Sequence, residues 1–266
     1  MPTISIGSAS FQVFDQGRGQ PLLLVHGFPL DHSMWSGQVS ELSRGFRVIA
    51  PDLRGFGRSS PIMANDAVVT MAQFADELAA LLVALQESEP VTFCGLSMGG
   101  YIAWQFAARH PDKLARLILC DTKAAADSQE AAENRNKLAA KVLAEGSHVA
   151  ADAMLPKLFS QRSLKSQAPY VEETRQVILR TRPQSIAAAL RGMAEREDFT
   201  GGLSAIRVPT LVLCGGEDVI TPPAEMRSIA AAIPGAEYCE VPAAGHMSPL
   251  EDPRIVNQAM QKFLGP

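Results

Sequence analysis

The sequence predicts an α/β fold, in which a mostly parallel β-sheet is covered by helices on both faces. Short apolar runs such as residues 22–26 and 114–120 alternate along the chain with segments of helical periodicity. Parallel strands need long crossover connections, which helices supply, so this alternation is typical of such sheets. Residues 123–200 interrupt it, because they are helical in pattern and contain no strand-like run. We therefore predict a core domain of residues 1–122 and 201–266, with residues 123–200 inserted as a helical cap.

Local patterns place the individual elements. Residues 2–15 alternate in polarity around Gly7-Ser8, which predicts an antiparallel hairpin at a sheet edge. Thr70-Met71-Ala72-Gln73 has the spacing of a capping box and predicts a helix that runs to about Glu87. Further strands are predicted at 22–26, 47–50, 91–94, 114–120, 208–214 and 236–241, and further helices at 98–110, 222–233 and 249–264. Together these make an eight-stranded sheet, with the cap after the sixth strand.

Composition excludes several classes of function. The net charge of −4 comes without a basic block, which argues against nucleic acid or an anionic membrane as a partner. The first residues lack a signal-peptide pattern and the apolar runs are too short to span a bilayer, so we expect a cytoplasmic protein. The four cysteines lie far apart, with no CxxC pair or Cys/His cluster, which predicts free thiols and no metal site.

The strongest functional motif is Gly95-Leu96-Ser97-Met98-Gly99, which lies between a predicted strand and a predicted helix. A sharp turn at this junction projects the serine hydroxyl above the sheet, and the small residues two positions away on either side prevent clashes. A serine hydroxyl is a weak nucleophile until a neighbouring base removes its proton. The motif therefore predicts Ser97 as a nucleophile and requires a base nearby.

Among the five histidines, His246 is the predicted base. It lies in a loop of small residues after the last predicted strand, where neither helical nor strand periodicity accounts for it. The alternatives have simpler explanations: His26 bonds to nearby backbone, His110 ends a helix and His148 faces solvent. His32 lies in a loop near the expected mouth of the pocket and stays open as an alternative.

An imidazole base needs a carboxylate that fixes its tautomer and stabilises its charged form. Asp218 follows Gly215-Gly216 directly after a predicted strand, and we predict it to be this acid. Asp121 also follows a strand and is the competing candidate, whereas Glu217 is expected at the surface.

The negative charge that develops on the substrate oxygen during the reaction needs preorganised hydrogen-bond donors. We predict the backbone N–H groups of Met98 and Phe28 for that role, since Pro29 has no N–H.

Five motifs resemble the α/β-hydrolase superfamily in sequence and in order. They are HGFP at 26–29, PDLRGFGRSS at 51–60, GLSMGG at 95–100, GGEDVITP at 215–222 and AGHMSPLEDP at 244–253. The order Ser97, Asp218, His246 is also that of this superfamily. Within it the chain most resembles carboxylesterases and the 3-oxoadipate enol-lactonase-like branch. The resemblance implies hydrolysis of a small-molecule ester or lactone without a cofactor, and it implies a structural role for residues 52–60.

Differences from some members of the superfamily narrow the predicted chemistry. Haloalkane dehalogenases and many epoxide hydrolases carry aspartate where this chain has Ser97, so these two reactions are disfavoured. A carbon–carbon bond hydrolase, a perhydrolase or a ligand receptor on the same fold stays open as an alternative.

We expect the pocket between sheet and cap to involve Trp35, Met154, Leu158 and Phe159, besides Phe28 and Met98. A substrate carboxylate would find a cation in Arg135, Lys137 or Arg162. The sequence leaves the oligomeric state open.

Overall fold

The computed structural model describes residues 2–63 and 66–265, and over these it contains one eight-stranded sheet in the order β1-β2-β4-β3-β5-β6-β7-β8. Met1 and Pro266, the outer limits of the predicted core domain, lie outside the described residues. The strands are β1 (Thr3–Ile6), β2 (Ala9–Gln16), β3 (Pro21–Val25), β4 (Arg47–Pro51), β5 (Val91–Leu96), β6 (Leu114–Cys120), β7 (Thr210–Gly215) and β8 (Glu237–Val241).

Strand pairing confirms the predicted, mostly parallel sheet. β1 pairs with β2 and β2 with β4 in antiparallel register, which forms the expected hairpin at one edge of the sheet. The remaining neighbours are parallel, with Leu24 opposite Cys94 and Cys120 opposite Leu213. Strands β3, β5 and β7 are buried along their whole length because both faces of the sheet are covered. The carboxyl ends of β3 and β5 to β8 therefore meet at one edge.

The helices of the core alternate with these strands at the predicted places, except that residues 36–42 form a helix that was not predicted. They are α1 (Ser36–Leu42), α2 (Met71–Ala84), α3 (Met98–Arg109), α9 (Pro223–Ala232), α10 (Ser248–Glu251) and α11 (Pro253–Leu264). Helix α2 packs on α3, and α1 packs on α11. Thr70 caps α2 through the predicted capping box, accepting from the Gln73 backbone N–H while the Gln73 side chain accepts from the Thr70 N–H. Among the described residues, no helix is both long enough and apolar enough to span a membrane.

The closing helix differs from the prediction of one helix over residues 249–264. The structure breaks it at Asp252, whose backbone is not helical (φ −138°, ψ 74°) and whose side chain caps α11 by accepting from the Ile255 N–H. The physical reason is Pro253, because a proline disfavours helical geometry in the residue before it and fits the first turn of a new helix. The short helix α10 that results follows directly after the loop of His246.

The segment between β6 and β7 contains helices and no strand over its described length. Its helices are α4 (Gln129–Glu145), α5 (His148–Leu158), α6 (Gln161–Lys165), α7 (Pro169–Arg180) and α8 (Pro183–Ala194). Helix α8 packs closely against the core at Gly192, because a Cβ at this position would lie 1.8 Å from the Val69 carbonyl oxygen. The Val69 N–H also donates to the Ala188 carbonyl at 3.2 Å. This helical segment after the sixth strand is the one in which we predict the cap.

Candidate active site

Ser97 lies at the junction between β5 and α3. Its backbone angles, φ 54° and ψ −110°, are rare for residues other than glycine. Such backbone strain costs on the order of 1–3 kcal/mol and persists where the surrounding structure imposes it. Here the Ser97 N–H donates to the Cys120 carbonyl at 2.9 Å, and the Thr122 hydroxyl donates to the Ser97 carbonyl at 2.8 Å. Within residues 91–100, Ser97 alone is not fully buried. The turn therefore presents its side chain at the carboxyl edge of the sheet.

Two glycines of the motif are explained by close backbone approaches. A Cβ at Gly95 would lie 2.3 Å from the Gly99 carbonyl oxygen, across the turn itself. A Cβ at Gly99 would lie 2.4 Å from the Val25 carbonyl oxygen, so α3 contacts the end of β3. Both distances are shorter than a side chain tolerates. Glycine at these positions lets the turn close and lets the helix begin against the sheet.

His246 lies in the loop after β8 and is buried, at 2% relative exposure. Its Nδ1 donates to Asp218 Oδ2 at 2.8 Å. The residues on either side hold the loop in place, since the Gly245 N–H donates to Glu251 Oε1 at 2.6 Å. The Met247 N–H donates to the carbonyl of Leu158 at 3.0 Å, in the helical segment that follows β6. With Nδ1 bonded to Asp218, Nε2 is the ring nitrogen left for a reacting proton.

Asp218 lies in the loop after β7 and accepts hydrogen bonds from several donors. Besides His246, the Ile220 N–H donates at 2.7 Å, and the Thr221 N–H at 3.1 Å together with the Thr221 hydroxyl. Burial opposes ionisation of this carboxyl group, but His246 and the Thr221 donors outweigh it and hold the pKa of Asp218 below its usual range. Asp218 is therefore a carboxylate that holds the imidazole in one orientation.

Asp121, the competing candidate, is fully buried at the end of β6. The Gly215 N–H donates to its Oδ1 at 2.7 Å, and the Ser248 hydroxyl donates to its Oδ2 at 2.6 Å. Burial first, and then the charge of Asp218, raise the pKa of Asp121 well above its usual range. The hydrogen-bond partner of His246 among the two carboxyl groups is Asp218, which is the partner that the sequence favoured.

The loop that carries Phe28 lies against the serine turn. A Cβ at Gly27 would lie 2.7 Å from Leu96 Cδ2 and 3.5 Å from the Cβ of Ser97. Phe28 follows Gly27 and is buried, and Met98 is the first residue of α3. The first N–H groups of a helix have no partner inside it and lie at the positive end of its dipole. The two predicted donors of an oxyanion hole therefore come from segments that meet at Ser97.

A cavity of about 330 Å³ lies between the Phe28 loop and the helical segment after β6. The described residues that line it are Phe28, Ala131, Asn134, Arg135, Leu138, Met154 and Leu190. Of the predicted pocket residues it contains Phe28 and Met154. Trp35 instead lies in the hydrophobic core, Leu158 bonds to the His246 loop, and the Phe159 ring packs at 5.6 Å on that of Tyr170.

The remaining histidines have other partners. His26 donates from Nδ1 to the Gly27 carbonyl at 2.9 Å and accepts at Nε2 from the Leu53 N–H at 3.0 Å. His32 pairs with Asp52 at 2.6 Å, and His110 pairs with Asp76 at 2.8 Å. His148 is exposed on α5. The His26 ring therefore fixes the backbone of the loop that carries Phe28, as the sequence indicated.

Glu251 is a residue of the site that sequence reasoning missed. It is buried and accepts from the N–H of Gly245, from the N–H and hydroxyl of Ser160, and from the hydroxyl of Ser163. It thus ties the His246 loop to the helical segment after β6. The available signal was a carboxylate five residues after His246, but Ser160 and Ser163, which it joins to the His246 loop, lie about 90 residues earlier in the chain.

Within the described residues there are two clusters of side chains, and each cluster contains three potential metal ligands. One is Asp31, His32 and Asp52, and the other is Asp121, Asp218 and His246, each with its ligand atoms within 4.8 Å of one another. In the second group the Asp218–His246 hydrogen bond occupies a carboxylate oxygen and a ring nitrogen. Both groups are thus held together by hydrogen bonds among their own members or with the nearby backbone.

Comparisons with known proteins agree with the observed fold. Residues 20–253 match the family model described as alpha/beta hydrolase fold. The structure is similar to that of a thermophilic esterase from Thermogutta terrifontis, with a TM-score of 0.94 and 45% identity over 99% of this chain and 97% of that one. The enol-lactonase from Burkholderia xenovorans has a TM-score of 0.90 and 31% identity, covering 99% of each chain.

A curated relative is similar over a comparable length. The AB hydrolase superfamily protein YisY of Bacillus subtilis is 32% identical over 263 residues, which is 94% of this chain and 94% of the relative. The match to the family model spans all the elements that carry Ser97, Asp218 and His246. Family model, relatives and sheet topology agree, and the chain belongs to the α/β-hydrolase family.

Proposed function

We propose that this protein hydrolyses carboxylic esters or lactones through a serine nucleophile and a covalent acyl-enzyme intermediate. The observation that carries the proposal is the arrangement at one sheet edge. Ser97 follows β5 in a strained turn, and the hydrogen-bonded pair of Asp218 and His246 follows β7 and β8. In this mechanism Ser97 is the nucleophile, His246 the general base, and Asp218 the carboxylate that orients the imidazole.

The first step forms the acyl-enzyme. Ser97 Oγ attacks the carbonyl carbon while its proton passes to Nε2 of His246. Because Nδ1 donates to Asp218, Nε2 carries the lone pair that accepts this proton. The carboxylate of Asp218 then stabilises the imidazolium that has formed.

The developing negative charge on the carbonyl oxygen is stabilised by the backbone N–H groups of Phe28 and Met98. Both residues lie in segments that contact the serine turn, and both are buried. Removal of one such donor typically lowers the rate by about 10²- to 10³-fold, because donors fixed in a buried site need no reorganisation during the reaction. The loop at 26–29 is therefore as important to the proposal as the triad.

Collapse of the tetrahedral intermediate breaks the bond to the leaving oxygen, and His246 gives its proton to the departing alkoxide or enolate. Water then attacks the acyl carbon and transfers a proton to His246. The second tetrahedral intermediate releases the carboxylic acid, and Ser97 regains its proton. Water is the one co-reactant, so the overall reaction converts ester and water to acid and alcohol.

The substrate class rests on two further supports. Two of the similar solved structures are an esterase and an enol-lactonase, at 45% and 31% identity over nearly the whole chain. The cavity beside Phe28 also has apolar walls from Leu138, Met154 and Leu190, which suit an acyl or alkyl group.

Arg135 gives this cavity a positive group. Its Nε donates to Asp127 Oδ2 at 2.5 Å, and Arg196 contacts the other oxygen of Asp127 at 2.7 Å, so one carboxylate faces two guanidinium groups. Arg162 donates to the Ala243 carbonyl instead, and Lys137 is exposed. Of the three cations that the sequence offered for a substrate carboxylate, Arg135 is therefore the one we favour.

A substrate panel tests the proposal. Aryl esters of increasing acyl length, simple lactones and an enol-lactone bearing a carboxylate would be assayed with the wild-type protein and with Ser97→Ala. We expect steady-state turnover by the wild type and a loss of about 10⁴- to 10⁶-fold in kcat in the variant, at an unchanged melting temperature. A fluorophosphonate should label the wild type at Ser97 and leave the variant unlabelled.

The alternatives give different outcomes in the same assays. A receptor on this fold would release one equivalent of aryl alcohol and then stall. A perhydrolase would transfer the acyl group to hydrogen peroxide in preference to water, and a carbon–carbon hydrolase would prefer a β-diketone to every ester. Turnover by Ser97→Ala close to that of the wild type would contradict the serine mechanism itself.

A further inference from the structure

The catalytic imidazole lies beside two buried carboxyl groups, of which the proposed mechanism uses one. Asp218 and Asp121 are 4% and 0% exposed, and an oxygen of each lies within 4.8 Å of the other and of a ring nitrogen of His246. Among the described residues, neither carboxyl group forms an ion pair with a lysine or arginine. Two negative charges so close together in a buried site repel strongly unless a proton neutralises one of them.

The hydrogen-bond partners decide which carboxyl group carries the charge. Asp218 accepts from two backbone N–H groups, from the Thr221 hydroxyl and from His246. Asp121 accepts from the Gly215 N–H and from the Ser248 hydroxyl. Hydrogen bonds to the charged form favour ionisation, so the carboxyl group with more donors is the one that ionises. The same contacts hold the pKa of Asp218 low, while burial raises that of Asp121.

The two partners of Asp121 belong to the loops that carry the proposed acid and base. Gly215 is the last residue of β7, three positions before Asp218. Ser248 begins α10, two positions after His246. Asp121 thus bridges the ends of β6, β7 and the loop after β8. Among the described residues, the thiols of Cys120 and Cys214 are further titratable groups beside it.

We propose that Asp121 is a positioning residue whose carboxyl group is protonated and donates a hydrogen bond to the carboxylate of Asp218. It fixes the loops of Asp218 and His246 relative to each other, and it adds no second negative charge beside the imidazole. The proposal rests on the triad proposed above. The backbone of Asp121 is left-handed, with φ 46°, a conformation that aspartate and asparagine tolerate better than most residues, so asparagine suits this position.

Two substitutions distinguish a positioning role of Asp121 from the effect of a negative charge at this residue. Asp121→Asn keeps an acceptor for the Gly215 N–H and supplies an N–H donor toward Asp218, with no charge in either protein. Asp121→Ala removes these two contacts and also the acceptor for the Ser248 hydroxyl. The pH profile of kcat/KM on an aryl ester would be measured for both variants, for Ser248→Ala and for the wild type, with melting temperatures as the control for folding.

We expect kcat to fall about 10- to 100-fold in Asp121→Ala with little change in KM, because the acid and base loops are displaced. Asp121→Asn should restore most of this loss. Ser248→Ala should show a smaller loss in the same direction. The acidic limb of the profile, which reports protonation of the general base, should stay at the same pH in Asp121→Asn.

An ionised Asp121 would give the opposite result. Removal of its negative charge in Asp121→Asn would destabilise the imidazolium and move the acidic limb to lower pH. Such a shift would overturn the proposal, and so would a loss in Asp121→Asn as large as that in Asp218→Asn.

A measurement that needs no turnover keeps this test separate from the proposed function. Protein labelled with ¹³C at the aspartate carboxyl carbon would be titrated by NMR, and the Asp121 signal would be assigned by its absence in Asp121→Asn. At neutral pH we expect the chemical shift of a protonated carboxyl group, even if no ester proves to be a substrate. An Asp121 signal that titrates in the usual acidic range would overturn the inference whatever the activity.

Discussion

The carboxyl edge of the sheet and the helical segment between β6 and β7 contribute to the candidate site in different ways. The edge supplies Ser97, Asp218 and His246, each fixed by backbone strain or by buried hydrogen bonds. The helical segment supplies cavity walls such as Met154 and anchors the His246 loop through Ser160 and Leu158. Substitutions at the edge should therefore reduce turnover of every substrate. Substitutions in the helical segment should alter substrate preference or, at the anchor, the placement of the base.

The largest effect is expected at the sheet edge, in Asp218→Asn. The amide favours the wrong imidazole tautomer and cannot stabilise the imidazolium, so kcat should fall about 10⁴-fold on all substrates, as in a serine protease. Steady-state kinetics on short and long esters would show equal losses. Glu217→Gln is the matched control, since its side chain is exposed in the same loop and should leave kcat unchanged. A larger loss in Asp121→Asn than in Asp218→Asn would reverse the assignment.

The anchor between the two regions should give an intermediate effect. Glu251→Gln replaces an acceptor for the Ser160 N–H and hydroxyl with an amide, which should loosen the His246 loop. We expect kcat to fall about 10- to 100-fold with KM nearly constant, because small displacements of a reacting group carry such costs. In a double-mutant cycle with Ser160→Ala, the two losses should be less than additive. Full additivity would show that the two residues act independently.

The cavity wall should give a smaller and substrate-dependent effect. Met154→Ala enlarges the cavity beside Phe28, so the ratio of kcat/KM for long over short acyl esters should rise by about tenfold. Lys157→Ala is the control on the same helix, because Lys157 is exposed. An equal loss on all chain lengths in Met154→Ala would place this side chain in the support of the base rather than in the pocket.

The cysteines should give the smallest effect, since they lie beneath the edge rather than at it. Cys94, Cys120 and Cys214 are buried, and Cys239 is half-buried on β8. Burial raises the pKa of Cys120 and Cys214, which keeps their thiols protonated and slow to react. We expect a thiol reagent to modify Cys239 first, without loss of activity, and the other three after unfolding. Rapid modification of Cys94 with full activity would contradict this.

The thiols also show what strand order alone does not predict. The sequence predicted free thiols, and the cysteines of the structure are free. Cys94 and Cys120 nevertheless approach to 3.9 Å between their sulfur atoms. The approach depends on register, since Cys94 lies opposite Ile118 and Cys120 opposite Leu96. Strand register is set by packing of the whole sheet and is not encoded in either strand alone.

Local patterns determined a large part of this molecule. The alternation of apolar runs and helical periodicity determined the α/β class, and Gly95 to Gly99 determined a strained turn, because only small residues fit its close contacts. Thr70 and Gln73 determined the start of α2 through bonds three residues apart. In each case the deciding atoms are near one another in the chain, so residue type and spacing carry the information.

Contacts between distant segments were decided by the tertiary structure. The surroundings of Asp121 arise from Gly215 and Ser248, which lie 94 and 127 residues later in the chain, and the imidazole beside Asp218 comes from the loop after β8. The tie from Glu251 to Ser160 depends on how the helical segment packs on the sheet, and the burial of Trp35 depends on the packing of residues 32–35 against β3, β4 and α10. Desolvation, charge pairing and cavity shape depend on which residues meet in space, and residue spacing along the chain contains no such information.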